Sequence, residues 1–304
     1  MNKPNWDLYR SLLAVLEHGS LSGAARELGL TQPTLGRHIE ALEDMLGQPL
    51  FTRSQQGLEP SEAALALKPF AEILAATSAA LVRTAADIKG RVSGTVRISA
   101  SEMIGVEVLP LIIARLQEDH PDLEVELSTT DTVEDVLNRE ADVAVRMTEP
   151  TQKALIARHV GAIPLGMFAH RRYLERYGVP TSWDDLANHR FIGYDRQGAF
   201  ARGFMRLIPA VEHARFTFRA DSNLAQFGAV KAGSAIGVCQ VNLAREIEDL
   251  VPLFADEFQL PLQTWIVMHE DLRGSPRCRT TFDALVRGLT AYIAGGSRAA
   301  IGWP

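Results

Sequence analysis

Gln32 and Arg37 are the side chains with the clearest chemistry in this chain of 304 residues. An amide can pair bidentately with an adenine edge, and a guanidinium with O6 and N7 of a guanine. Both stand on a stretch that reads as a helix. Thr31 is placed to cap it, and Pro33 falls in the first turn, where a missing N–H is harmless. Helical spacing sends Leu35, Ile39, Leu42 and Leu46 inward and leaves Gln32, Pro33, Gly36, Arg37 and Glu40 on the other side. The start of such a helix also favours a phosphate, which brings Thr31 and Thr34 into the candidate set. Arg53, in the extended piece that follows, is placed to meet a phosphate backbone or a minor groove. The plainer alternative is a three-helix cap whose Gln and Arg are simply solvated.

A second group of candidates lies further on, at the ends of strand-like segments. Ligands in open α/β folds sit in the crevice beyond the carboxyl ends of strands. Ser99, Ala100, Ser101 and Glu102 end the first such segment just before a helix. Hydroxyls beside free helix N–H groups suit a carboxylate or another anion. Thr129 and Thr130 end the second segment and Arg146 the third, while Ser222 and Gln240 are the candidates from a later stretch. Each has a plainer reading: Ser99, Ser101 and Thr129 as caps or turn residues, Arg146 as a surface or interlobe ion pair. Arg and hydroxyls converging on one cleft lean toward an anionic organic ligand.

Other chemistry finds little support. The eight His residues form no HExxH and no Cys/His metal spacing, so no metal is expected. No Walker sequence, GxSxG elbow or GxGxxG occurs, and no cofactor is expected. The run from Lys231 to Gly237 contains glycines but follows a helix and precedes a strand, the wrong order for a phosphate loop. An enzyme with Ser99 or Ser101 as nucleophile is the alternative, without triad signatures to support it. Cys239 reads as a small buried residue rather than a redox sensor. Cys278 lies between Arg277 and Arg279, which would lower a thiol pKa.

The elements that must position these groups fall into three kinds. Leu8, Leu12, Val15 and Leu16 mark one helix, ended by Gly19. Ser20 caps a second, carrying Leu21, Ala24, Ala25 and Leu28 and stopped by Gly29. The helix of Gln32 and Arg37 is the third, and a small hairpin over residues 50–60 follows. Residues 61–89 are Ala-rich and helix-favouring, with Pro69 expected to kink or interrupt the helix. In it Leu67, Phe70, Leu74, Thr77, Leu81, Thr84 and Ile88 keep heptad-like spacing, and Phe70, Leu74 and Leu81 are the expected dimer contacts. After residues 90–94, an expected hinge, strands and helices alternate. Strands are expected at 95–99, 124–128 and 142–146, with helices at 106–119 and 133–138. That βαβαβ order predicts a parallel sheet. A second set runs through 165–169, 171–177, 182–187, 190–192, 215–219, 223–232 and 235–238. A strand at 264–269 and a helix at 277–293 close the chain, and the tail from 295 is expected to be loose.

Composition agrees with a globular chain: 46% hydrophobic and 22% charged, with a net charge of −6. A chain basic throughout is excluded, so any nucleic-acid contact must be local. Residues 1–60 hold five basic and seven acidic side chains, and Glu43 and Asp44 sit at the far end of the third helix, where they can point away from a duplex. Two cysteines exclude a disulfide-stapled scaffold. No apolar run reaches the roughly 18 to 20 residues that span a bilayer. The expected place is the cytoplasm, with no membrane contact.

Residues 6–53, with GSLSGAARELGLTQPTLGRHIEALEDMLGQPLFTR, resemble the DNA-binding domain of LysR-type transcriptional regulators. GTVRIS, HPDLEVEL and ADVAVR resemble segments of that family's effector-binding domain. The fold class implied is an N-terminal all-α winged helix-turn-helix plus a long linker helix, then an α/β two-lobed domain like periplasmic binding proteins. The domains expected are 1–60 for DNA binding, 61–90 as the dimerising linker helix, 91–294 for the effector and 295–304 as the tail. Lobe I is expected to take 92–162 and 265–293, and lobe II 163–264, with crossings near 161–164 and 261–263. The resemblance implies double-stranded DNA contact by Gln32, Pro33 and Arg37. It also implies a homodimer or homotetramer, a small-molecule effector between the lobes and RNA polymerase as a further partner. The implied function is sequence-specific DNA binding modulated by that effector, without enzyme activity; the alternative is an effector-independent DNA-binding protein. Where the family usually carries Ser or a similar small polar residue, this chain has Gly36. The hydroxyl contact is absent, and Gly costs about 1 kcal/mol against Ala in a helix.

Overall fold

The computed structural model describes residues 5–54, 57–86, 92–129, 141–152, 154–196, 215–295 and 298–301. They divide into two compact units, one of residues up to 86 and one of the rest. The predicted helix at 133–138 lies outside the described residues.

The first unit opens with three helices, α1 (Trp6–His18), α2 (Leu21–Leu28) and α3 (Gln32–Leu46). Local chemistry sets their ends. The Ser20 hydroxyl accepts the Gly23 N–H at 3.2 Å, and the Thr31 hydroxyl accepts the Thr34 N–H at 3.3 Å. Gly29, at φ 64°, takes the left-handed conformation that the α2–α3 turn requires. Ala14, Val15, Ala24, Ala25, Leu35 and Ile39 form the core between the helices. Leu46, expected inside, is 36% exposed. Leu42 already fills the contact with Leu12 and Leu50, and the last turn of α3 extends past it.

Strands β1 (Phe51–Ser54) and β2 (Gly57–Pro60) form the hairpin, and α4 (Glu62–Ala86) follows. Of the kink or interruption expected at Pro69, the interruption does not occur: α4 runs on through it. Pro69 and Leu65 are both exposed, so the carbonyl that Pro69 leaves without a donor can bond to water. Leu12, Leu42, Leu50 and Ala64 join the base of α4 to α1, α3 and the hairpin.

The second unit is built on a seven-stranded sheet. Its strands are β3 (Gly94–Ala100), β4 (Leu123–Thr129), β5 (Val143–Arg146), β6 (Leu155–His170), β9 (Gly237–Gln240), β10 (Leu250–Leu253) and β11 (Leu260–His269). The order is β10-β6-β11-β5-β3-β4, with β9 also paired to β6. Only β3, β4 and β5 are parallel to one another, as βαβ crossovers demand. Elsewhere the expected parallel sheet is mixed: β11 runs antiparallel to β5 and β6, and β9 and β10 antiparallel to β6. A separate parallel pair, β7 (Arg190–Gly193) and β8 (Arg215–Arg219), completes the strands.

The segments expected at 165–169 and 264–269 are the inner parts of the much longer β6 and β11. Pro164 and Pro261 look like breaks in sequence, but they face each other in register. The two missing donors therefore fall at one place in the ladder. The register shifts between Thr264 and Trp265, opposite His159 to Gly161. Gly161 has φ 123°, and a Cβ there would lie 3.1 Å from Ile293. Such a bulge bends its strands and increases their twist, here at the β6–β11 pair.

The helices of this unit are α5 (Glu102–Glu107), α6 (Leu109–Asp119), α7 (Arg171–Tyr177), α8 (Asn223–Lys231), α9 (Val241–Ala244) and α10 (Pro276–Gly295). The single helix expected at 106–119 is split into α5 and α6, because Pro110 cannot continue the hydrogen bonding of the turn before it. Where a loose tail was expected, Arg298–Ile301 forms a 3-10 turn and Ile301 is buried in the main core with Tyr292 and Leu289. Burial of that side chain supplies the order that a short stretch rich in Gly and Ala does not predict.

Candidate functional site

The exposed side of α3 is the more open of two polar sites. Its buried side locks it in place: Leu35 and Ile39 pack against α1 and α2, and fully buried Ser11 lies 2.8 Å from Nδ1 of His38. On the other side Thr31, Gln32, Pro33, Arg37 and Glu40 are exposed, and Thr34 and Gly36 half-buried. Leu21, Gln32, Pro33, Gly36, Arg37 and Glu40 line a groove of about 550 Å³. The Thr31 and Thr34 hydroxyls bond to each other at 2.8 Å. Gln32, Arg37 and Glu40 have no side-chain hydrogen bond or ion pair among the described residues.

The hairpin beside α3 is held at both ends. Glu43 accepts the N–H groups of Leu50 at 2.6 Å and Phe51 at 3.3 Å, so this acid fixes the hairpin base. Farther along, the Leu58 N–H donates to the Gly19 carbonyl at 2.9 Å. A Cβ on Gly57 would come within 2.7 Å of that carbonyl oxygen, so the close approach requires glycine. The Arg53 backbone lies in β1 opposite Leu58; its side chain is outside the described residues.

On α4, Phe70 is 66% exposed, Leu74 44% and Leu81 65%. Leu65, which the heptad reading passes over, is exposed as well. Leu67 packs on the core instead, and the Thr77 hydroxyl donates to the Ile73 carbonyl at 2.8 Å.

The second site differs in kind, because its polar groups are bonded to one another. Ser99 and Arg146 are brought together by the parallel pairing of β3 and β5: both are buried, and Nη2 of Arg146 donates to Oγ of Ser99 at 2.9 Å. Arg146 also donates to the Val145 carbonyl at 3.1 Å. Glu102 and Ser222 are 120 residues apart in sequence, yet the Ser222 hydroxyl meets both carboxylate oxygens of Glu102, at 3.0 and 2.9 Å. The Leu224 N–H donates to the same carboxylate at 3.3 Å. Glu102 thus occupies the start of α8, where the helix dipole and free N–H groups favour negative charge.

The remaining candidates scatter. Ala100 is fully buried, with its side chain in the core. Ser101 precedes α5 without a side-chain capping bond. Thr129 is exposed and leans on α5, where a Cβ on Gly105 would meet its methyl at 2.7 Å. Gln240 is buried and accepts the Tyr292 hydroxyl at 3.2 Å. Thr130 lies outside the described residues. Sequence reasoning missed Arg298, which bonds Glu246 at 2.5 Å and Glu107 at 3.2 Å. Nothing in the tail's composition signals those partners.

Neither Ser99 nor Ser101 is hydrogen-bonded to a base such as His among the described residues, and a serine nucleophile needs one. Cys239 and Cys278 are both buried. Burial pushes the Cys239 thiol up to about 12, far from the thiolate needed for redox chemistry. Burial and the nearby Glu246 carboxylate raise the Tyr292 phenol. Among the described residues no cluster of His, Cys, Asp and Glu could hold a metal, and no helix is long and apolar enough to cross a membrane.

A helix-turn-helix with a hairpin wing, ahead of a two-lobed α/β domain, is the architecture of a transcriptional regulator. Residues 6–65 match the bacterial regulatory helix-turn-helix protein, lysR family, and residues 89–290 the LysR substrate binding domain. The chain belongs to the LysR family. It is 28% identical over 187 residues to the HTH-type transcriptional regulator PgrR of Escherichia coli, covering 60% of this chain and 61% of that protein. It is 26% identical over 176 residues to an HTH-type transcriptional regulator of Xanthomonas campestris, covering 58% of this chain and 51% of the relative. The matched stretch therefore spans between half and about three fifths of these relatives' length. Among solved structures, full-length CbnR complexed with its target DNA aligns with a TM-score of 0.66 at 21% identity, over 93% of this chain and 99% of that one.

Proposed function

We propose that this protein is a cytoplasmic regulator that binds operator DNA through α3 and the hairpin, and that a small molecule between its lobes tunes that binding. The observation that carries the reading is the pair Gln32 and Arg37: exposed, unbonded, and fixed on the front of a helix whose back is fully packed. Thr31, Pro33, Thr34 and Gly36 supply the close surface, and Arg53 in the wing is assigned to the backbone. Phe70, Leu74 and Leu81 on α4 are the contacts assigned to a second copy, in a homodimer or a homotetramer. Two copies would present two α3 helices to half-sites about one helical turn or a multiple of it apart.

The effector is assigned to the cleft between Ser99–Arg146 and Glu102–Ser222. A ligand shifts operator binding only by preferring one arrangement of the lobes; equal affinity for both would change nothing. The buried Arg146 favours an anionic organic molecule. The deciding experiment is selection of duplexes from a random library with the full chain, followed by titration of the selected operator. Arg37→Ala is expected to weaken specific binding by about 1–3 kcal/mol. Unchanged affinity, or failure to enrich any sequence at low salt, refutes the DNA-reading helix.

A further inference from the structure

We infer that Glu40 is a specificity-determining residue, and that it reads the exocyclic amino group of a cytosine in the major groove. The inference rests on the reading of α3 as the DNA-contacting helix. Glu40 is an anion on the face offered to a polyanion, which is unfavourable unless the carboxylate meets a donor. Two other acids of this unit show such partnering, Glu43 with two hairpin N–H groups and Glu27 with His18 at 2.6 Å, while Glu17 and Asp44, which do not line the groove, have no side-chain partner among the described residues. Glu40 has none among the described residues, and it does not neutralise Arg37, although the two stand three residues apart on one helix face.

The groove supplies the rest of the geometry. Glu40 lines it together with Arg37, Gln32 and Gly36. Gly36 is one turn before Glu40, and a Cβ there would meet only Leu21, at 4.0 Å. Packing therefore leaves room for a side chain, and the missing one opens the path by which a base edge reaches the Glu40 carboxylate. Three residues advance about 4.5 Å along a helix, close to the 3.4 Å step between base pairs. If Arg37 takes a guanine, Glu40 faces the neighbouring pair. The major-groove donor that a carboxylate accepts is the N4 amino group of cytosine. Glutamate at this position rejects thymine, whose O4 is an acceptor, and so sharpens selection where Arg37 alone would only add affinity.

The full-length chain and its Glu40→Gln variant are each used to select duplexes from one randomised library. Exposure of residue 40 makes the variant safe for folding, and circular dichroism checks it. The wild-type consensus is expected to hold a cytosine next to the guanine assigned to Arg37. Changing that cytosine to thymine should cost wild type about tenfold in affinity and Glu40→Gln much less. An identical consensus from both proteins overturns the inference while leaving the DNA reading intact. So does a variant that binds every duplex more tightly by one factor, since that marks Glu40 as mere repulsion of phosphate. If neither protein selects any sequence, the DNA reading falls and this inference falls with it.

Discussion

Arg37 and Arg146 carry the same guanidinium into opposite circumstances. Arg37 is exposed on α3 with no bonded partner among the described residues; Arg146 is buried and donates to Ser99 and Val145. The contrast extends to their neighbours. Gln32 and Glu40 are free to meet something outside the chain, whereas Glu102 and Ser222 hold each other. An interface for DNA gains from donors already aimed outward, because little internal bonding must be undone on contact. In the proposed effector site, where Ser99 bonds Arg146 and Ser222 bonds Glu102, a ligand would exchange those bonds for its own, and it would shift an equilibrium only by preferring one arrangement.

Replacing each arginine tests the contrast most severely. Arg146→Ala removes a hydrogen-bonded buried cation and leaves Ser99 without its donor, an expected loss of about 2–3 kcal/mol in chemical denaturation of the second unit. Arg37→Ala should move stability by under about 0.5 kcal/mol, since it touches nothing bonded or buried. Equal effects at the two sites would erase the distinction. A smaller effect is expected at Glu102. Glu102→Ala frees the Ser222 hydroxyl and the Leu224 N–H while Ser222 still accepts the Ala225 N–H at 3.1 Å. Amide exchange at Leu224 should accelerate, with a stability loss of about 1 kcal/mol. Unaltered protection at Leu224 would mean that the carboxylate adds nothing to α8.

The two regions also differ in how much of each is legible in the sequence. On α3 the signals are local: Thr31 caps, Pro33 starts, Gly29 turns, and the spacing of Leu35, Ile39 and Leu42 points to the buried side. Each depends on neighbours within one or two turns of helix, so a linear reading finds them. Leu46 escapes it because periodicity does not say where the covering helix stops. In the second unit α7 and β8 are equally plain, but the site depends on pairings that span the chain. Glu102 meets Ser222 across 120 residues and Arg298 meets Glu107 across 191. Both members of the first pair stand out as candidates by type, while their contact is set by the fold of the whole sheet. β10, with Pro252 among its four residues, carries too weak a strand pattern to be read at all.

The smallest effect expected separates the second unit from the first by pH. His189 is buried beside Tyr173, whose hydroxyl lies 3.2 Å from Nδ1 and accepts the Arg190 N–H at 2.9 Å. Desolvation holds the imidazole below its ordinary value of 6.5, with Asp185 opposing. The folded state therefore binds a proton less readily than the unfolded chain. Its contribution is intact above about pH 6.5 and is lost as pH falls toward the depressed folded value. Thermal midpoints of the second unit should drop as pH falls below about 6.5, and His189→Gln should flatten part of that drop. His38 offers the internal comparison: it is half-buried against Ser11 on α3, and His38→Gln should leave the slope of the second unit untouched. A slope that follows His38 rather than His189 would place the pH sensitivity in the first unit and reverse the assignment.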